Sequence, residues 1–181
     1  MDSFLQNRGL QVIFMVDCSD AMNSHMNEIT DAINSVVPDL QEKNKKYPKM
    51  NMSARILRFS SGVSFVSPTS IGIDRFRAGM LFAGGNCELG KAFDAICDQL
   101  KNLTKENIPP ILVLISDGHP TDDYKKSLSV LRSLPIYKVC IRLAFAVTDQ
   151  ADRSVLTEFA TVPEDVKDIK EIKVLPRRLN S

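Results

Sequence analysis

Leu10-Gln11-Val12-Ile13-Phe14-Met15-Val16, ending in Asp17-Cys18-Ser19-Asp20-Ala21, and Ile111-Leu112-Val113-Leu114-Ile115, ending in Ser116-Asp117-Gly118-His119-Pro120-Thr121-Asp122-Asp123, decide the fold. Each is a short aliphatic run that stops abruptly in polar and turn-forming residues. A run that is apolar at consecutive positions suits a strand covered on both faces, as in a parallel sheet. Open α/β sheets gather their sites at the carboxyl ends of such strands.

Working outward from the first run, Met22, Met26, Ile29, Ile33, Val36, Val37 and Leu40 step by three and four and predict a long amphipathic helix. Pro38 is expected to kink that helix or end its first segment, because proline lacks the N–H and clashes with the preceding turn. Residues 52–59 and 63–66 are β-prone runs separated by Ser60-Ser61-Gly62, the pattern of an antiparallel hairpin. A loop with Pro68, Gly72, Gly79, Gly84 and Gly85 leads to a second long helix carrying Leu89, Ala92, Phe93, Ile96, Leu100 and Leu103. Beyond the second aliphatic run, Tyr124, Leu128 and Leu131 mark a shorter helix, residues 139–147 a strand, and Val155, Leu156 and Phe159 another helical stripe. Residues 166–175 read as a final edge strand, with a terminal helix as the alternative. The alternation is that of a doubly wound α/β fold: a mostly parallel sheet with one antiparallel edge strand and helices on both faces. With no internal repeat, low-complexity segment or linker, residues 1–181 are expected to form one domain.

The 181 residues are 44% apolar and 25% charged, an ordinary composition for a globular chain. Such a length buries roughly 70% of the unfolded surface, so stability requires neither disulfides nor a structural metal. A metal, if bound, serves function. The formal charge is +1, from 23 basic and 22 acidic residues, which argues against nucleic acid or an anionic membrane as a partner. No apolar run approaches the roughly 20 residues of a membrane-spanning helix. The start of the chain has Asp2, a single basic residue at Arg8 and no small-residue cleavage pattern, so no export signal is read. The cysteines at 18, 87, 97 and 140 form no CxxC pair, which fits reduced thiols in the cytoplasm.

Three polar clusters, residues 17–21, 84–90 and 117–122, are expected to converge on one rim of the sheet. In these residues the sequence resembles the von Willebrand factor A domain family, whose metal-ion-dependent adhesion site uses an Asp-x-Ser-x-Ser motif, a Thr in a second loop and an Asp in a third. Residues 114–123 are most similar to the bacterial stand-alone members of that family associated with tellurium resistance and stress operons. The resemblance implies Mg²⁺ held by hydroxyl and carboxylate oxygens, with one coordination position left for a carboxylate presented by a protein partner. Asp17, Ser19 and Asp117 match the ligand positions. Three residues depart from the pattern: Ala21 replaces the second serine, Asp20 the glycine before it, and Cys87, in Cys87-Glu88-Leu89-Gly90, the threonine. Two hydroxyl ligands are thereby missing, and sulfur suits a hard cation poorly. On this reading the adhesion site is degenerate. Asp20, Cys87 and Asp122 are expected to line the partner-binding rim around it.

Plainer roles compete for each residue. Asp17, Asp117, Ser19 and Thr121 are residue types that routinely cap helices and turns. His119 suits a solvated loop, Cys97 and Cys140 an apolar stripe, and Met22 and Met26 the core face of the first helix. Cys18 and Cys87 would form a soft-metal or redox pair only if they met, whereas alternation along a strand turns Cys18 away from Asp17. At the level of function, a protein-binding module competes with a metal-independent scaffold that uses helices or an edge strand. A phosphatase-like hydrolase is disfavoured, since Ser19 stands where a second acid would be needed. No phosphate loop, dinucleotide fingerprint or nucleophile elbow is present, and His25 and His119 are the only histidines. The chain is therefore read as a non-enzyme.

Overall fold

In a computed structural model, which describes residues 9–179, the first aliphatic run forms β1, Gln11–Asp17, buried at all seven positions. A 3-10 turn, Asp20–His25, leads into α1, Met26–Lys46. The hairpin follows as β2, Ser53–Phe59, and β3, Val63–Phe65. A two-residue strand, β4 at Ile71–Gly72, precedes α2, Leu89–Leu100. The second aliphatic run is β5, Ile111–Ser116, followed by α3, Tyr124–Arg132, and a short α4, Pro135–Val139. The remaining elements are β6, Arg142–Ala146, α5, Arg153–Phe159, β7, Val166–Asp168, and α6, Val174–Arg178.

The sheet order is β3-β2-β1-β5-β6-β7, with β4 also on β2. Neighbours from β2 to β7 run parallel, while β3 and β4 pair antiparallel with β2 at the edge. The expected mostly parallel fold with helices on both faces is thus present. Alternation along β1 divides the core in two. Val12, Phe14 and Val16 face the stripe of α1 and Leu175 of α6, whereas Ile13 and Met15 face α2, α3, α4 and α5. Among the described residues no helix is long and apolar enough to cross a membrane.

Four local expectations change. α1 continues unbroken through Pro38, because Val36, Val37 and Leu40 are fully buried around it while Pro38 faces solvent. Packing of that stripe outweighs the lost hydrogen bond. Val139 belongs to α4, so β6 begins only at Arg142. Residues 166–175 are strand only as far as Asp168, which then caps the turn that follows: its side chain accepts Lys170 N–H at 2.9 Å, and Glu171 accepts Asp168 N–H at 3.1 Å. This reciprocal cap turns the chain out of the sheet and towards α6. Finally, Met22 lies in the 3-10 turn before α1 and Leu103 beyond the end of α2, so both helices are shorter than expected. Within the expected loop, residues 76–83 form a strap across α1. The Asn34 side chain donates to Ala78 C=O at 2.9 Å and accepts Ala78 N–H at 2.8 Å. Phe76 stacks on Phe14 with ring centres 5.9 Å apart.

Candidate metal centre

Adjacent parallel pairing of β1 with β5, in the register Val16↔Ile115, delivers Asp17, Ser116 and Asp117 to the same carboxyl rim. The second loop is drawn in by backbone bonds. Gly84 N–H donates to Cys18 C=O at 2.8 Å, Asp20 N–H to Gly85 C=O at 2.9 Å, and Glu88 N–H to Ser60 C=O at 3.0 Å. Cys87 is thereby placed against the two carboxylates, and one ligand atom each from Asp17, Cys87 and Asp117 lies within 4.8 Å of the others.

All three side chains are buried. Asp17 accepts Ser19 N–H at 3.0 Å on Oδ1, and both the Ser116 hydroxyl at 2.7 Å and the Cys87 thiol at 3.3 Å on Oδ2. Asp117 Oδ1 accepts His119 N–H at 3.2 Å. Burial holds the Asp117 carboxyl above its ordinary range, and the nearby charge of Asp17 raises it further. Burial and then Asp17 push the Cys87 thiol far up. Among the described residues neither Asp17 nor Asp117 forms an ion pair. Two neighbouring buried carboxylates without a basic partner are an arrangement that a cation stabilises.

Ser19 is buried beside Asp17, and its hydroxyl does not cap the 3-10 turn that it precedes. Ala21 is exposed. Asp20 is also exposed and ties two loops together: beyond its backbone bond, its Oδ1 accepts Gly85 N–H at 3.1 Å. Asp122 caps α2, accepting Gly90 N–H at 3.0 Å on Oδ1 and Lys91 N–H at 3.2 Å on Oδ2. A Cβ on Gly90 would lie 2.7 Å from Asp122 Oδ2, so the close approach requires glycine. His119 is an exposed loop residue whose ring meets Gln150 C=O at 2.8 Å.

Cys18 lies in the α1-side core and Cys87 in the opposite one, so they form no pair. Burial pushes the Cys18 thiol up to about 11. One contributor, Ser116, escaped the sequence reading, and another, Thr121, was read as an ordinary capping or turn residue. Ser116 bridges Asp17 and the third loop, accepting Gly118 N–H at 3.0 Å. Thr121 joins the second and third loops by donating its N–H at 2.8 Å and its hydroxyl at 3.2 Å to Cys87 C=O. A hydroxyl at the last position of an aliphatic strand, directly before Asp117, was the available signal for Ser116.

The donors gathered here are two carboxylates and a sulfur. Mg²⁺ demands near-octahedral oxygen at about 2.1 Å, whereas zinc accepts a tetrahedral mixture of sulfur and oxygen. This set fits zinc better than magnesium.

A Rossmann-like sheet whose three carboxyl-end loops converge on buried carboxylates defines the class of protein. The chain belongs to the von Willebrand factor type A domain family, which matches residues 11–176. Domains of this family generally mediate protein–protein interaction and adhesion, and are usually interaction modules rather than enzymes. No curated protein matches the sequence. Among solved structures, proximal thread matrix protein 1 of the mussel byssus is similar at 15% identity and TM-score 0.64, over 96% of this chain and 47% of that one. This chain therefore spans about half the length of that relative. BatB of Bacteroides thetaiotaomicron is similar at 12% identity and TM-score 0.63, over 95% of this chain and 98% of that one. A paralog of ArnB from Sulfolobus acidocaldarius is similar at 18% identity and TM-score 0.62, over 93% of this chain and 43% of that one. The mussel protein is also known with zinc in its metal-ion-dependent adhesion site.

Proposed function

We propose that the chain is a single-domain interaction module that holds a protein partner on the carboxyl rim of its sheet. Asp17, Ser19 and Asp117 anchor a divalent ion there, and a carboxylate from the partner completes its coordination. Cys87 lies against the ion, while Asp20 and Asp122 hold the surrounding loops in place. The observation that carries this reading is the burial of Asp17 and Asp117 side by side, without an ion pair among the described residues. Zinc at the corresponding motif of the mussel relative supports a metal of this class. The similarity of residues 114–123 to tellurium-resistance proteins supports a cytoplasmic adaptor in a bacterial stress pathway, with no catalysis of its own.

One observation favours a second reading, in which contacts need no metal. Met80 and Phe82, 75% and 71% exposed, project from the strap just before Gly84, which bonds to Cys18 at the rim. Both readings are tested by capturing partners on the immobilised chain and mapping the contact by cross-linking. Under the metal reading, capture is lost with a chelator and in Asp117→Asn. Capture that survives both but fails in Phe82→Ser supports the scaffold. A partner that cross-links away from the rim overturns the proposal.

A further inference from the structure

Resting on the metal-binding rim just proposed, we infer that Cys87 is a ligand and makes this a site for a thiophilic divalent ion of the zinc class rather than for magnesium. The geometry of the donors carries the argument. A tetrahedral zinc with oxygen near 2.0 Å and sulfur near 2.3 Å sets its oxygen and sulfur about 3.5 Å apart. The Cys87 Sγ to Asp17 Oδ2 distance is 3.3 Å, already that of a tetrahedral edge. Asp117 closes the triangle within 4.8 Å. The fourth corner falls to the Ser19 hydroxyl, buried beside Asp17, or to water or a partner carboxylate in its place. By contrast, an octahedral oxygen shell lacks contributors: Ala21 supplies no side-chain oxygen, and Cys87 supplies sulfur at the position where a hydroxyl would stand.

Two further observations point the same way. The thiol is aimed into the cluster, donating its hydrogen bond to the same oxygen that Ser116 holds in position. Asp17 and Asp117 are both buried and, among the described residues, neither forms an ion pair with Lys, Arg or His; the charge of His119 favours the Asp117 carboxylate less than burial and Asp17 disfavour it. As the metal–sulfur bond forms, the thiol proton leaves to solvent. The product would be a centre of two carboxylates and one thiolate, with the divalent charge standing between the thiolate and the Asp17 carboxylate in place of the proton they shared. Cys18, in the core on the other face of the sheet, takes no part.

The test uses the full chain, reduced and stripped of metal, titrated with Co²⁺ as a spectroscopic stand-in and with Zn²⁺ against an excess of Mg²⁺. The expected result is a sulfur-to-cobalt charge-transfer band with the intense visible bands of a tetrahedral ion, displaced by Zn²⁺ and untouched by Mg²⁺. In Cys87→Ser and Cys87→Thr, each checked for its fold by circular dichroism, the charge-transfer band disappears. Zinc affinity falls at least about 100-fold, the upper end of what removing an outer-shell partner costs. Cys18→Ser keeps both signals. Preference for Mg²⁺, or zinc affinity unchanged in both Cys87 variants, overturns the sulfur assignment and leaves a metal-dependent rim standing. Absence of binding by every divalent ion overturns the inference together with the metal reading of the rim.

Discussion

The Ser116 hydroxyl lies 2.7 Å from Asp17 Oδ2 and accepts Gly118 N–H at 3.0 Å, so one side chain at the end of β5 joins the first and third rim loops. Ser116 is fully buried, and its removal leaves the Gly118 N–H without its acceptor and Asp17 Oδ2 with the weaker Cys87 thiol bond alone. Ser116→Ala is expected to lower stability by about 2 kcal/mol in urea unfolding, with an unchanged slope. A loss below about 0.5 kcal/mol would show that solvent replaces both bonds.

Gly118 has φ +72, and a Cβ built there would lie 2.4 Å from Asp152 C=O. Backbone strain and a backbone clash coincide. Gly118→Ala is expected to cost about 3 kcal/mol. At about 2–4 °C per kcal/mol for a chain of this size, thermal unfolding reads the difference directly. An unchanged melting temperature contradicts the left-handed turn.

Asp122 serves the amino end of α2 with both carboxylate oxygens. Asp122→Ala is expected to cost about 1 kcal/mol. Amide hydrogen exchange should speed up at Gly90 and Lys91 while the interior of α2 stays protected. Equal exchange in both proteins argues that water caps the helix as well as the carboxylate does.

Pro38 faces solvent within an unbroken α1 and withholds one N–H from the helical ladder. Pro38→Ala is therefore a stabilising change, with an expected gain of about 2 kcal/mol once the lost rigidity of the unfolded chain is subtracted. Denaturant titration decides it, and a loss of stability would mean that the helix is shaped around the proline ring.

Burial pushes the Cys140 thiol up from 9.0 to about 12, against a weaker opposing effect of the Arg142 charge. In the unfolded chain this thiol ionises above pH 9 while the native one stays protonated, so the native state holds more protons and stability falls as pH rises. The contribution is intact below pH 9 and is lost progressively up to about pH 12. The slope is about 1.4 kcal/mol per pH unit for one proton. Cys140→Ala should show a shallower alkaline decline by that amount, and parallel profiles would contradict it.

The hydrophobic periods made the sheet and its two layers of helices legible, because β1 and β5 are aliphatic throughout and α1, α2 and α3 carry clear stripes. Pro38 does not end the helix, because tertiary burial of the surrounding stripe outweighs a local penalty. Residues 166–175 misled because the reciprocal cap between Asp168 and Glu171 ends the strand after three residues, and such a cap leaves no mark in the spacing of apolar residues. At the site, Asp17, Cys87 and Asp117 stood in the sequence at the ends of identifiable elements, and the structure brings them together. Whether Asp20 and Asp122 face a ligand or a backbone amide was not legible, since that depends on Gly85 and Gly90, contributed by a different loop. Ser116 was hidden for a related reason: its acceptor, Asp17, is 99 positions away.

The bonds from Asp20 to Gly85, Thr121 to Cys87, Asp122 to Gly90 and Lys91, and Ser116 to Asp17 lash three loops into one body. A ligand arriving at such a surface has few torsions to freeze, so the entropy of association is spent on the ligand and not on the receptor. Encounter then leads to capture without an intervening rearrangement, and variation in affinity among ligands falls on how long they stay.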